Sequence, residues 1–238
     1  ETTSKDVASF EEIYKYYNKP YECDISGHNN AVITYSFGLT GTPKGIVISH
    51  RNLIDSARVV SQYLDLKEDD VISGLLIFNL DYGLNQIFCS LYKQATLALH
   101  RFILPDDFFN HLMNDKVTVL PLMPVNISEM FDEDVSRIPS PELFDDLRII
   151  TSSGGNVTAK MISDCKKTFR NADFYSMHGL TEAFRSTYLD PAQVQIRPDS
   201  IGKAIPDVEL YVVNEEGKEC APREVGELIH RGGYIYRG

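Results

Sequence analysis

Apolar and polar positions alternate along this chain in two rhythms, and each rhythm predicts its own element. The run AVITYS from Ala31 and the run IVISH ending at His50 are apolar and rich in β-branched residues, which predicts two strands flanking a loop, FGLTGTPKG. Before them, Phe10, Ile13, Tyr14 and Tyr17 fall on one face of a helix. After them, Ser49-His50-Arg51-Asn52 opens a helix to about Leu66, with Leu53, Ala57, Val60 and Leu64 spaced to pack and His50 capping its entry. The stretch VISGLLIF from Val71 is apolar throughout, as expected of a strand buried on both faces. A helix to about Lys93 follows, and Asp81 near its start reads either as its N-cap or as a group facing a ligand.

The same alternation continues through a strand at Thr96–His100, a helix at Asp106–Asn114 and a buried strand at Val117–Leu122. Pro121 and Pro124 should end that strand and start a short helix near Ile127–Phe131, with a surface loop over Asp132–Asp146. Next come a strand at Leu147–Thr151, a tight turn at Ser152–Asn156, a helix at Thr158–Phe169 and a strand at Asp173–Met177. Strand and helix in alternation mean parallel βαβ units, so the fold class is α/β, with one mostly parallel sheet from Ala31 to Met177 covered by helices. From Ile201 the period changes to two around turns at Glu216-Gly217 and Pro222, predicting a small antiparallel β subdomain at the C-terminal end.

Composition narrows the function. With 238 residues, 43% hydrophobic and 24% charged, the chain has length enough for a buried core. A net charge of −11 argues against binding nucleic acid or anionic lipid nonspecifically. Cys23, Cys89, Cys165 and Cys220 are scattered with no CxxC pair, which suggests neither a zinc site nor a disulfide framework and favours a reducing, cytoplasmic setting. The longest apolar stretch, Val71 to Leu80, is too short to span a bilayer, and the polar N-terminus is no signal peptide.

Three short stretches carry candidate chemistry. Gly38, Gly41 and Gly45 let backbone N–H groups converge on one centre, while Thr40, Thr42 and Lys44 add hydroxyl donors and a positive charge for a polyphosphate. A solvated glycine hairpin is the plainer alternative. Lys44 is followed by Gly45 and a strand, so the loop is not a Walker A motif. At the end of the strand beginning at Leu147, Gly154, Gly155 and Asn156 allow a flat ring to lie against backbone, or form a plain βα turn. His178-Gly179-Leu180-Thr181-Glu182 ends the next strand, and by itself Thr-Glu is a helix-start pair.

Taken in order, these stretches resemble the motifs of the AMP-forming adenylating superfamily: acyl-CoA synthetases, luciferases and the adenylation domains of peptide synthetases. Ser36, Gly38, Thr40, Gly41, Pro43, Lys44 and Gly45 match its phosphate loop, while Phe37 and Leu39 stand where the family has hydroxyls. His178 to Glu182 is similar to Y-G-x-T-E, with His178 in place of tyrosine, and Gly226-Glu227-Leu228 with Arg231-Gly232 is similar to G-E-L-x-x-R-G. The runs Asp81 to Gln86 and Ala183 to Asp190 resemble a bacterial acyl-CoA-ligase-like subgroup, some of it exosortase-associated.

The resemblance implies ATP-dependent activation of a small-molecule carboxylic acid to an acyl-adenylate, followed by transfer to a thiol of coenzyme A or of an acyl carrier protein's pantetheine. It implies that Ser36 and the loop Gly38 to Gly45, Thr42 and Lys44 included, hold the β- and γ-phosphates. Gly154, Gly155 and Asn156 would lie beside adenine with His178 and Gly179 nearby, Thr181 would meet the α-phosphate, and Glu182 would hold Mg²⁺. Asp81 matches the aspartate that binds the substrate amino group in amino-acid-activating members, which keeps an amino-acid adenylation domain open as an alternative. A nucleotide-binding or scaffold module without catalysis is a second alternative, favoured by Phe37 and Leu39. Residues 1–200 would be the core of the family's large N-terminal domain and 201–238 the start of its β subdomain. The family's C-terminal lid and its lysine have no match in these residues, so the expectation is a portion of a longer enzyme that does not turn over by itself.

Overall fold

The computed structural model describes residues 23–36, 43–132 and 137–236. The expected helix at Phe10–Tyr17 lies outside them. The first element is a hairpin of β1 (Asn30–Ser36) and β2 (Lys44–Ser49), antiparallel, with Ser36 opposite Lys44 and Tyr35 opposite Gly45. It forms its own two-stranded sheet and does not join the parallel one, correcting the expectation of a single sheet from Ala31. Ile46 and Ile48 turn inward while Ile33 and Tyr35 stay exposed, so only one strand carries a fully apolar inner face.

Helix α1 (His50–Tyr63) follows at once. Its cap is Ser49, whose hydroxyl accepts from the Asn52 N–H at 3.1 Å while the Asn52 side chain accepts from the Ser49 N–H at 3.2 Å. His50 is therefore the first helical residue and not the cap. A reciprocal box of this kind satisfies two donors left open at a helix start.

The main sheet contains β3 (Val71–Gly74), β4 (Thr96–Leu99), β5 (Val119–Leu122), β6 (Ile149–Ser152), β7 (Asp173–His178), β8 (Thr187–Leu189) and β9 (Lys203–Ala204). Their order is β4-β3-β5-β6-β7-β8-β9, parallel through β7 and antiparallel beyond it. Between them run α2 (Asp81–Lys93), α3 (Pro105–Asn114), α4 (Pro124–Met130), a 3-10 turn (Pro141–Phe144) and α5 (Ala159–Thr168). A separate antiparallel pair, β10 (Val208–Val213) and β11 (Glu227–Gly232), lies after residue 201 as expected.

Alternate residues of the central strands feed two cores. Leu120, Leu122 and Ile150 face a phenylalanine-rich cluster with α3, α4 and α5, while Val119 and Ile149 face a second cluster with α1 and α2. This double burial is why β5 and β6 read as continuous apolar runs. Pro121 sits inside β5 opposite Thr151, correcting the expectation that it ends the strand. On the β3 side the register holds only Ile72 opposite Val119, so the proline falls where that ladder has stopped.

Candidate functional site

Chain order and strand order disagree at one place. From β3 the chain goes outward to β4, then returns to lay β5 on the other side of β3. At such a switch point the connections leaving the carboxyl ends of two neighbouring strands diverge and leave a crevice. The sequence-predicted stretches after β3, β6 and β7 all leave carboxyl ends of this parallel set.

Helix α2 rises from the end of β3. Leu80 occupies its N-cap with no side-chain cap, and Asp81 is the first helical residue, so Asp81 is not the cap. A carboxylate in the first turn is still favoured by the helix dipole. The next residue, Tyr82, reaches across to β6, its hydroxyl 2.7 Å from Thr151 Oγ1. Burial pushes the Tyr82 phenol up to about 12 despite the nearby Arg185 charge, so it stays a neutral hydrogen-bonding group.

At the end of β6, Gly154, Gly155 and Asn156 form an exposed turn with Gly154 at φ +84°, and α5 begins after Thr158, whose hydroxyl caps it. At the end of β7, Leu180 and Ala183 exchange both backbone hydrogen bonds at 3.2 Å, putting Thr181 and Glu182 on the tip of a reverse turn. No helix starts there, which removes the helix-start reading of Thr-Glu. The turn is pinned from outside by the Tyr236 N–H donating to the Glu182 carbonyl at 2.9 Å and from below by the Ser186 N–H donating to the His178 carbonyl at 2.8 Å. Gly179 is needed because a Cβ there would lie 2.9 Å from the Arg185 backbone nitrogen. Glu182 is exposed, and His178, Gly179 and Thr181 are half-buried.

Lys44 is exposed at the start of β2, and the Ser36 hydroxyl opposite it is buried with no hydrogen-bond partner among the described residues. Gly38, Thr40, Gly41 and Thr42, with Phe37 and Leu39, lie outside the described residues. Among the described residues no three His, Cys, Asp or Glu side chains gather as a metal site. No described helix is long and apolar enough to cross a membrane, and all four cysteines are free thiols.

Sequence reasoning missed the residues that line the crevice itself. Tyr82, Asn85, Gln86, Thr151 and Arg185 line part of a small cavity between α1, α2 and the β3–β5 strands, and its remaining walls are apolar, among them Val60, Leu64, Ile72 and Val119. Asn85 and Gln86 carry the one available signal: polar residues on the inward face of an amphipathic helix, both buried. Arg185 carries none, because its burial depends on a turn that the pattern does not reveal. A different constellation, Ser73 Oγ at 2.8 Å from His100 Nδ1 with His100 Nε2 at 2.8 Å from Asp115, has the order of a hydrolase triad. Ser73 is fully buried in β3, so no substrate reaches it, and the chain of bonds serves to tie β4 to the end of α3.

The family model of AMP-binding enzymes matches residues 1–238. The chain is 27% identical over 215 residues to an indoleacetate–CoA ligase of Aromatoleum aromaticum, covering 90% of this chain and 41% of that protein. It is 27% identical over 243 residues to bacitracin synthase 1 of Bacillus licheniformis, covering 99% of this chain and 4% of that protein. Among solved structures, the o-succinylbenzoate CoA synthetase of Bacillus subtilis in complex with its acyl-adenylate has the same fold, with a TM-score of 0.82 at 24% identity over 95% of this chain and 46% of that one. The chain thus spans less than half the length of these relatives. A parallel sheet with a switch point, two of the matching turns at the carboxyl ends of its strands β6 and β7, and a family model that runs from end to end lead to one conclusion: the chain belongs to the AMP-binding enzyme family.

Proposed function

We propose that the protein activates a carboxylic acid with ATP and passes the acyl group to a thiol. A carboxylate is a poor electrophile. Its oxygen attacks the α-phosphorus of ATP, the bond to the β-phosphate oxygen breaks, and pyrophosphate leaves. The thiol of coenzyme A or of a carrier protein's pantetheine then displaces AMP. The observation that carries this reading is the common placement of the exposed Gly154–Asn156 turn and the Thr181–Glu182 turn at the carboxyl ends of adjacent parallel strands β6 and β7.

In this reading the flat Gly154–Asn156 turn, with His178 and Gly179, receives adenine, and Thr181 donates to the α-phosphate. Ser36, Lys44, Gly45 and the stretch between them hold the outer phosphates. The Ser36 hydroxyl, buried with no partner among the described residues, supports this, since a buried polar group left unpaired is costly. Magnesium, when bound, neutralises the phosphate oxygens, and Glu182 would be its protein ligand. A single exposed carboxylate suits a cation that keeps waters and phosphates as its other ligands. What the chain contributes is positioning and charge complementarity.

A second reading, activation of an amino acid, is favoured by Asp81 in the first turn of α2, where a carboxylate could hold a substrate ammonium. Acid-dependent exchange of pyrophosphate into ATP, run on the protein with fatty, aryl and amino acids, separates the two. Exchange is expected with one class and is expected to fall roughly a hundredfold in Glu182→Gln. Exchange with none of them would overturn both readings.

A further inference from the structure

Arg185 is 2% exposed, and among the described residues no carboxylate pairs with it. A guanidinium cannot relieve burial by losing its proton, so its charge must be met where it lies. Three neighbours meet it in part. Its Cζ stands 4.1 Å over the Tyr82 ring and 5.1 Å from the Phe184 ring, and Nη1 donates to Ser153 Oγ at 3.4 Å. Nε has no partner. Arg185 also holds φ +40°, a backbone conformation uncommon for a residue with a side chain, against the close approach of Gly179.

If Arg185 were only a strut between the β7 turn and α2, its donors would be satisfied by protein. Instead its side chain lines the switch-point cavity with Nε left unpaired among the described residues. The cavity measures ≈ 30 Å³. One water-sized group needs roughly 10–15 Å³, so the space as it stands holds a group of a few heavy atoms, and the arginine gives that group its charge preference.

We propose that Arg185 is a specificity-determining residue, and that the acid this site takes is a short one bearing a second carboxylate, seated in the cavity against the guanidinium. The inference rests on the acid-activation reading above. A carboxylate offers Nε the acceptor it lacks and gives the buried cation its counter-charge, with the reacting carboxyl left at the mouth of the cavity. A site built this way rejects an analogue lacking the second carboxylate, because the arginine is then left unpaired.

The test is calorimetric binding of short α,ω-dicarboxylates and of monocarboxylates of equal length to the protein, with and without a non-hydrolysable ATP analogue. The dicarboxylate is expected to bind roughly tenfold to a hundredfold more tightly. Arg185→Gln is expected to bring it down to the monocarboxylate level, and Arg185→Lys, which keeps the charge but loses the planar fork, to give an intermediate affinity. Equal affinities on the unaltered protein, binding of neither acid in either condition, or a preference that survives Arg185→Gln would overturn the inference. If Arg185→Gln does not fold, the dicarboxylate preference of the unaltered protein and its reduction in Arg185→Lys decide. Pyrophosphate exchange separates the two levels. Preferential dicarboxylate binding with no exchange for any acid leaves the subsite standing and removes the activation reading. Exchange with acids that show no such preference does the reverse.

Discussion

Asp70 joins the starts of three strands. Its carboxylate accepts from the Lys67 N–H at 2.7 Å, from Thr118 Oγ1 at 2.7 Å and from Arg148 Nε at 2.8 Å, and it forms an ion pair with the Arg148 Nη2. Burial works to raise its pKa, but the bonds from Arg148, the Lys67 backbone and Thr118 outweigh it and hold the carboxyl below its ordinary range. A depressed carboxylate contributes stability that is present above its unfolded pKa of roughly 4 and is lost as pH falls through the lower folded value. Asp70→Asn is therefore expected to lower stability near neutral pH by about 2 kcal/mol. It should also flatten the loss of stability between about pH 5 and about pH 3. Urea unfolding across that range checks both, and an unchanged acid slope would show that other carboxylates dominate. This cluster sits at the amino ends of the strands, opposite the crevice, so the substitution should leave nucleotide affinity alone.

The elements end where packing ends them. The apolar run from Val71 continues to Phe78, yet β3 stops at Gly74 and Ile77 is 66% exposed. The reason is α2, which crosses so close to the outgoing chain that a Cβ on Gly83 would lie 2.0 Å from the Ile77 carbonyl oxygen. Hydrophobic content cannot mark such an end. Caps were no more legible: His50 and Asp81, read from the sequence as caps, are first helical residues, while Thr158, read as the start of a helix, caps α5 by bonding the Met161 N–H at 3.3 Å. The β7 turn gives the prediction at this scale. Gly179→Ala would press a methyl against the Arg185 backbone nitrogen at 2.9 Å and Cα at 3.0 Å, neither of which can swing aside. The expected cost is about 1–3 kcal/mol by analogy with overpacked cores. Because Thr181 and Glu182 ride on the same turn, nucleotide affinity should fall together with the thermal midpoint. A loss of stability with unchanged affinity would detach this turn from the nucleotide site.

Across the whole molecule, the sheet separates two cores that do different work. The phenylalanine cluster behind it is structural: Phe169 lies 5.0 Å from Phe144, 6.3 Å from Phe131 and 6.5 Å from Phe109, all buried. Phe169→Ala should cost about 3–5 kcal/mol and leave the nucleotide affinity of the folded fraction unchanged, measured by denaturation and by calorimetry. The other core carries α1, α2 and the crevice. Long-range bonds close it: Arg58 donates to Asp207 at 3.0 Å and to the Tyr234 hydroxyl at 3.2 Å, and Asn52 Nδ2 donates to the Gly233 carbonyl at 3.2 Å. These contacts hold the segment carrying Tyr236 against the Glu182 turn, which couples the end of the described chain to the candidate site.

Read without coordinates, the sequence determined the α/β class, nearly every strand and helix from Ala31 to Met177, and the family motifs, because those depend on local periodicity and on short strings of residues. Tertiary structure alone decided that the β1–β2 hairpin stands apart from the parallel sheet, that Pro121 lies within β5, and that Ser49 rather than His50 caps α1. It alone placed Arg185 beside Tyr82 and Gln86, with no counter-ion among the described residues. Strand pairing and the burial of a charge are set by which distant segments meet. A crossover at β3 and a turn closed by Gly179 bring those segments together, and no periodicity along the chain encodes their meeting.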